Sequence, residues 1–542
     1  MPMTRLPEAV EGVDSIQSRR PSALTLSMPA RVIGSLVVAL AGPSLLPAAE
    51  PPAAGEAKSL SINDCFKLAL EKNLDIQIQR HSTRINDYQL AGSYSIYDPK
   101  FSVSPTRTYF DQPRTIDPKK PGEDVAYHQT TDSLMGGIDG KLPTGMSYHL
   151  GSVVSSLSAK TFFTPAESAF LTYPPSGIRS LANFNMTSGL TLTQPLLKDF
   201  WIDSDRLKIQ VNKQNIKSSE LAFTDRVMQT VLNIQMAYYD AYFAIENYRI
   251  HAAAIDQARK LLADVQTRIK VGTLPAWQEG LFQYNLENLN SDLVDAARNV
   301  AEKKSALRNL LTDDLRDWGS ADLRLTTQPS ETAEHFDKVG AWRNALTKRP
   351  DFRQLEIQLE KLNLQLKFDR NQLYPQLDMV GSYAVNGIDP SLSSTVSQVQ
   401  RASHSDYTYG MVMSIPFTRR AAKNSYNVDK EAKQQTLLQV KQLEINIMTQ
   451  VENDGRAMAT ALERLPSLRK SEQLAAEVLK AEIEKLQMGS TTSFVVVEAR
   501  RRLTSAQRAV LQALVDYNKY REQLSYDQGQ NLEKNAITLE IR

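Results

Sequence analysis

Residues 204–271 read SDRLKIQVNKQNIKSSELAFTDRVMQTVLNIQMAYYDAYFAIENYRIHAAAIDQARKLLADVQTRIKV, a stretch without proline that follows Asp203 and precedes Gly272. An Asp before the first turn offers an acceptor to unpaired amides, and a Gly after the last turn takes the left-handed conformation that ends a helix. The stretch is therefore predicted to be one helix. From Val227 its apolar positions recur at Val231, Ile234, Tyr238, Ala241, Ile245, Tyr248, Ala252, Ile255, Ala258, Leu262, Val265 and Ile269, a step of about 3.5 residues, which makes a coiled-coil seam. At ~1.5 Å per residue the rod is ~100 Å long, several times the width of an ordinary domain. The molecule is elongated.

The composition is that of a folded chain: 542 residues, 42% hydrophobic, 23% charged, formal charge +2. So even a balance gives no basis for nucleic-acid binding. Residues 1–49 stand apart. Arg31 precedes the apolar run Val32 to Ala41, and small residues follow at Ala48-Ala49 or Ala53-Ala54, the pattern of a secretory signal peptide, with Met28 as an alternative start. Beyond it no run of about 18 apolar residues occurs, so a membrane-spanning part, if present, is a β-barrel. The lone cysteine, Cys65, excludes an intrachain disulfide.

In chain order, Leu60 to Ser95 has helical periodicity and stops at Asp98-Pro99. The period then changes to two. Phe101, Val103 and Tyr109 alternate with Ser102, Ser104, Thr106 and Thr108, with Arg107 interrupting the apolar side; a polar loop is expected over 111–131. Leu134, Ile138 and Leu142 lead through the turn Pro143-Thr144-Gly145 to Met146, Tyr148 and Leu150, and a last strand sets Met186, Leu190 and Leu192 against Asn185, Thr187, Thr191 and Thr193. Apolar residues on one face and Ser, Thr or Asn on the other suit a strand between lipid and a wet lumen.

After the long helix come a turn at Gly272, a return helix to Leu311 and a linker, and at Phe336 the sequence begins again. A shift of 276 lays Ala69-Leu70 on Ala345-Leu346, Lys72 on Lys348, Asp75 on Asp351, Leu90 on Leu366 and Pro99 on Pro375. Alternation resumes at Leu377, Met379, Tyr383 and Val385, then at Tyr407, Tyr409, Met411, Met413 and Ile415. A second long helix is expected from Ala421 to Met488 and a second return from Ser493 to Leu524. Pro195 to Gly272 spans 77 residues and Pro416 to Gly489 spans 73, so the long helices agree to about one turn; the 55-residue excess of the first half lies among the strands. The expected boundaries are 1–49 for the signal peptide, 50–331 and 332–527 for the repeats, and 528–542 for a C-terminal tail. Each repeat is one long helix beside two shorter ones, with strands at one end and a Gly turn at the other.

Four to six strands cannot close a barrel alone, so the chain must oligomerise; three copies supply six equivalent units. The hairpin from Ser133 to Ser155 is either part of the wall, for six strands per chain, or an extracellular flap.

The chain resembles the TolC family of outer-membrane efflux proteins over about Ser59 to Gly529. The resemblance rests on the repeat openings Ala69 to Asp75 and Ala345 to Asp351, the strand exit Thr193-Gln194-Pro195-Leu196-Leu197, the segment Ala237-Tyr238-Tyr239-Asp240, and the paired tips Arg268 to Gly272 and Lys485 to Gly489. It implies a membrane α+β fold: a homotrimeric outer-membrane β-barrel continued by a long periplasmic α-helical coiled-coil barrel. It further implies the exit duct of a tripartite efflux or type I secretion system, fed by a periplasmic adaptor from an inner-membrane pump or ABC exporter, with outer-membrane lipid around the barrel. By the same resemblance Val271, Gly272, Thr273, Met488, Gly489 and Ser490 are adaptor-docking tips, although both glycines are also explained as helix caps. Glu498 matches an acidic position that narrows the periplasmic end in such proteins; Val495, where a second acid is expected, departs from the pattern. Pro466 interrupts the second long helix and is expected to kink it.

No catalytic constellation, cofactor site or metal site is expected. Gly136 to Leu142 imitates a phosphate loop but lacks the Ser or Thr after Lys141 and sits in a strand pattern. The six histidines, His81, His128, His149, His251, His335 and His404, have no ligand spacing. The rival reading is a periplasmic coiled-coil adaptor or structural rod with a soluble β-domain. Such an adaptor would carry its helical unit once, whereas here it occurs twice.

Overall fold

The structure, a computed structural model, describes residues 58–112, 126–162, 178–272, 274–318 and 322–539. The export segment 1–49 and the tip residue Thr273 lie outside them. The first half runs β1 (Lys58–Leu60), α1 (Ile62–Lys72), α2 (Leu74–Ser93), β2 (Lys100–Gln112), β3 (Ala126–Lys141), β4 (Ser147–Phe162), β5 (Ile178–Pro195), α3 (Ser204–Lys270) and α4 (Trp277–Leu311). The second half runs β6 (Leu323–Leu325), α5 (Lys338–Lys348), α6 (Pro350–Gln372), β7 (Gln376–Asp389), α7 (Leu392–Gln400), β8 (His404–Ser414), α8 (Arg420–Gln487), α9 (Ser493–Asp527) and α10 (Asn531–Lys534).

The helix from Ser204 forms as its ends require: the Asp203 side chain accepts from the Arg206 amide at 2.7 Å, and Gly272 follows in the left-handed region at φ +83°. α2 and α4 pack along α3, while α6 and α9 join it from the second half. Around Val227, Val231, Ile234 and Tyr238 this makes the main apolar core, with Phe66, Ile76, Leu307 and Val515. A second core joins α5, α8 and α9 around Ile447, Val451, Met458 and Tyr517.

The opening helices differ from expectation. Each is two helices, broken at Asn73 (φ −65°, ψ 124°) and at Arg349 (φ −64°, ψ 125°), positions 276 apart. Asn73 caps α2 by accepting from the Ile76 amide at 3.2 Å. Arg349 precedes Pro350, which disfavours helical backbone in the residue before it. The same bend thus arises from two different local causes.

All six long strands form one antiparallel sheet in the order β2-β3-β4-β5-β7-β8. The hairpin holding Ser133 and Ser155 is therefore in the sheet, paired on both sides, and is no flap. β3 and β5 also begin earlier than the alternation suggests, at Ala126 and Ile178, and the segment 392–400 is a short helix rather than a loop. The small strands β1 and β6 pair in parallel and tie the start of the first repeat to the linker.

Candidate functional site

The sheet has two chemically distinct faces, and the register shows how they are assembled. One row joins Phe101, Ile138, Leu150, Leu190, Tyr383 and Tyr407 across all six strands. Neighbouring rows on that face add Val103, Leu134, Val154 and Met186 on one side, and Leu192, Tyr409, Met379 and Met411 on the other. The opposite face carries Lys100, Asp139, His149, Thr191, Ser382 and Thr408 in the adjacent row. Its polar groups bond each other: Thr187 donates to Asn386 at 2.8 Å, Asn386 to Asp406 at 2.5 Å, and His149 bonds Asp139 at 2.5 Å. A continuous apolar band backed by a hydrogen-bonded polar face is what a wall between lipid and water requires. Arg107, which breaks the alternation, sits directly opposite Asp132 and forms a two-point ion pair with it at 2.5 and 2.8 Å, which matches the charge at the edge of the band. The edge strands β2 and β8 each have one neighbour in the sheet and stay exposed along their length.

Between sheet and helices the chain is locked by charge. Lys141, at the end of β3, reaches Asp203 at 2.9 Å and Asp205 at 2.6 Å. Burial opposes ionisation of Asp203, but the Arg206 amide and the Lys141 and Arg206 charges outweigh it and hold the carboxyl below its ordinary value. Asn371 accepts from the Asp199 amide at 2.7 Å and donates to Leu197 at 3.2 Å, so the first strand exit is fastened to the second repeat.

At the other end of α3 and α8 the two Gly turns come together. Met488, Gly489 and Ser490 form a complete helix stop: the Gly489 amide donates to Leu486 at 3.1 Å and Ser490 to Lys485 at 2.9 Å, with Gly489 at φ +75°. This is the double hydrogen bond that a left-handed glycine permits. Gly272 makes the corresponding bond to Ile269 at 3.0 Å. Arg268 donates to the Gln487 carbonyl at 3.1 Å, joining the tips, and Val265, Phe282, Leu479, Leu486 and Val496 pack between them. Val271 and Met488 are left 74% and 75% exposed.

Glu498 accepts from Arg501 at 2.9 Å and Arg502 at 3.2 Å; those hydrogen bonds, Arg501's first, keep its carboxyl below the usual range. α8 runs through Pro466 as continuous helix, the missing amide leaving the Leu462 carbonyl without its i+4 donor. The seam Val451, Gly455, Met458, Leu465 is buried up to that point, and none of residues 466–478 is. Sequence reasoning missed Arg500, which points inward between helices; its place in the run Arg500-Arg501-Arg502 made it look solvated. Cys65 is fully buried, and burial pushes its thiol up to about 12, so it is inert.

Residues 341–526 match the sequence profile of the family described as outer membrane efflux protein. A search of curated protein sequences finds no match. Among solved structures the fold is similar to the Campylobacter jejuni CmeC outer membrane channel (16% identity, 89% of this chain and 90% of that one, TM-score 0.62). It is similar also to the outer membrane protein VceC from Vibrio cholerae (14% identity, 86% and 96%, TM-score 0.61). A third is the open Neisseria gonorrhoeae MtrE outer membrane channel (14% identity, 87% and 89%, TM-score 0.59). At these identities the structural likeness is one of fold, and the sequence match lies in the second repeat. Residues 341–526 are thus similar in sequence to the outer membrane efflux protein family, and the chain shares the fold of these outer membrane channels.

Proposed function

We propose that the chain is the exit duct of a tripartite efflux or type I secretion system. Three copies close their sheets into one barrel, their helices continue it as a periplasmic tunnel, and an adaptor couples the tunnel to an inner-membrane pump or ABC exporter. The observation that carries the reading is the six-stranded sheet with two unlike faces and two unpaired edges. Long open edges do not persist in a membrane. β2 leaves the helical end and β8 returns to it, so β8 of one copy meets β2 of the next antiparallel. Three copies make a wall of about 18 strands, wide enough for an aqueous channel; two would make about 12. In this reading Val271, Gly272, Thr273, Met488, Gly489 and Ser490 contact the adaptor, and Glu498 belongs to the constriction. Pro466 makes α8 the moving helix, an idea undone if Pro466→Ala opens and exports normally. The rival adaptor reading has no use for an apolar band crossing six strands.

The test is the mass and conductance of the detergent-purified protein. A trimer that inserts into planar bilayers with stepwise, porin-sized conductance is expected, together with loss of export when the gene is deleted. A soluble monomer that needs no detergent overturns the reading.

A further inference from the structure

The two edges of the sheet, β2 and β8, have counterparts inside it. By the repeat, β2 answers to β7, with Phe101 at the place of Leu377 and Pro99 at that of Pro375. β8 answers to β5. Counted from Pro195 and Pro416, Thr187 and Gly189 fall on Thr408 and Gly410, unchanged in type, and Leu190 and Leu192 fall on Met411 and Met413. Within one copy β5 and β7 are paired, Pro195 opposite Asp378 and Gly189 opposite Ala384. Just beyond, the Leu196 amide donates to the Leu377 carbonyl at 2.8 Å. The counterparts β8 and β2 lie at opposite ends of the sheet and cannot do the same within one copy. Leu196 is half-buried, whereas its counterpart Phe417 is fully exposed. A Cβ on Gly189 would come within 2.7 Å of the Tyr383 carbonyl oxygen, but one on Gly410 meets nothing within 4 Å. β8 thus carries the features that seat β5 on β7, with its outer edge free.

We propose that β8 seats on β2 of a second copy in a register fixed by the repeat: Ser414 opposite the next copy's Ser104, Gly410 opposite its Thr108, and the Phe417 amide donating to its Phe101 carbonyl. The inference rests on the exit-duct reading above, whose closure it specifies residue by residue. Moving the pairing of β5 and β7 by the distance from Pro195 to Pro416 and by the offset of 276 gives this register without adjustment. The faces agree with it. Both edges put odd-numbered residues on the apolar side, Phe101, Val103 and Pro105 in β2 and Tyr409, Met411 and Met413 in β8. A slip of one residue would set apolar against polar. The transferred register pairs odd with odd. Met413 meets Pro105, Ile415 meets Val103 and Phe417 meets Phe101, so the apolar band runs across the seam while Ser414 and Ser104 meet on the polar face. Pro105 has no amide to give Met413, which an edge strand tolerates and which leaves the seam one hydrogen bond fewer.

The test is disulfide trapping in the full chain, made in its own host and oxidised in isolated outer membranes. Cys65 is buried and can stay. Because Leu196 and Leu377 are hydrogen-bonded, the alternation of an antiparallel pair puts Ser414 and Ser104 at a non-bonded position, with Cα atoms about 4.5 Å apart, close enough for a disulfide. Ser104→Cys with Ser414→Cys should therefore yield linked dimers and trimers on a denaturing gel without reductant. The yield should exceed by about fivefold or more that of Ser414→Cys with Ser102→Cys or with Thr106→Cys, which share the face but lie two residues off. A second variant needs no oxidation. In Gly410→Val the side chain has room in its own copy but meets the next copy's Thr108, so the trimer should come apart at a lower temperature. Gly136→Val, equally free in its copy and away from both edges, should leave that temperature unchanged. A stronger link from either offset pair overturns the register. No link from any pair in a protein that purifies as a trimer overturns the seam, as does a Gly410→Val trimer as heat-stable as the parent; these results leave the exit-duct reading standing. A parent chain that purifies as a soluble monomer sinks that reading before the seam is in question.

Discussion

The two long helices are matched in length, 67 residues in α3 and 68 in α8, but 21 residues of α3 are buried against nine of α8. α3 is flanked by α2 and α4 of its own repeat and by α6 and α9 of the other, whereas α8 meets α5, α6 and α9. The uncovered side of α8 keeps Val428, Leu438, Ile445, Leu474 and Val478 exposed. Their starts differ too. α3 is capped by Asp203, while α8 begins after Arg419, at φ +45° and with no side-chain cap. Duplication copied the length and the seam, and tertiary context then made one helix the axis of the chain and gave the other a face to share. In the proposed trimer that face belongs to a second copy or to the tunnel.

The comparison is broken most severely by truncating the two helices at equivalent-looking apolar positions. Tyr238 of α3 is 0% exposed, and its hydroxyl accepts from the Thr327 amide at 2.8 Å. Tyr238→Ala should cost about 3–5 kcal/mol, read by denaturant unfolding. Leu438 of α8 is 73% exposed, so Leu438→Ala should leave that unfolding unchanged and shift the trimer toward monomer in detergent. Equal losses from both would mean that α8 is as internal as α3.

The helix starts give the next effect. Asp203→Ala removes the cap and the Lys141 pair and should cost about 1–2 kcal/mol. The folded pKa of Asp203 is depressed, so its contribution is complete above the ordinary carboxylate value of 3.8 and is lost as pH falls through the lower folded value. The parent and Asp203→Ala should thus converge in acid. At α8 the sign reverses: Arg419→Gly relieves a left-handed Arg and should gain about 0.5–1 kcal/mol, less the hydrogen bond from Arg419 to Leu373 at 3.2 Å.

Both differences were partly legible in the sequence. Asp203 and Gly272 announced the ends of α3 because capping is local chemistry, and the seam was readable because its period is fixed by the helix. The offset of 276 showed the repeat, yet not that Asn73 and Arg349 bend it, since neither residue type forbids helix and only Pro350 hints at the break. The upper parts of β3 and β5 were invisible because alternation fails there: residues 128–133 of β3 are all polar, and Leu181 and Phe184 of β5 fall on opposite faces. Arg500 could not be found at all, since its burial depends on α3 lying across it.

A pH effect of opposite sign sharpens the contrast, because the two most strongly raised carboxyls sit against α8, while Asp225 of α3 is raised less. Asp369 is pushed up to about 7 by burial and by its hydrogen-bonded neighbour Asp429 of α8; Asp454 of α8 goes to about 7 by burial and by Asp527. Since these values lie above the ordinary 3.8, the folded chain holds protons that the unfolded one releases. Stability falls as pH rises from about 4 to 7 and then levels. Asp369→Asn and Asp454→Asn should each raise the melting temperature at pH 8 by about 2 °C and leave it unchanged at pH 4.

The last contrast is at the tips, where the two helices end alike. A Cβ added at Gly272 or Gly489 meets nothing within 4 Å, so the cost of Ala there is the left-handed backbone alone, about 1 kcal/mol at each. Singly, Gly272→Ala and Gly489→Ala should therefore destabilise the chain equally despite the unequal burial of α3 and α8. The double variant tests whether the tips act as one body. Arg268 reaches across to the Gln487 carbonyl, and turns that share a bond should not lose their energies independently. A combined loss departing from the sum by about 0.5 kcal/mol or more marks a coupled tip; strict additivity would mean that α3 and α8 end side by side without supporting each other.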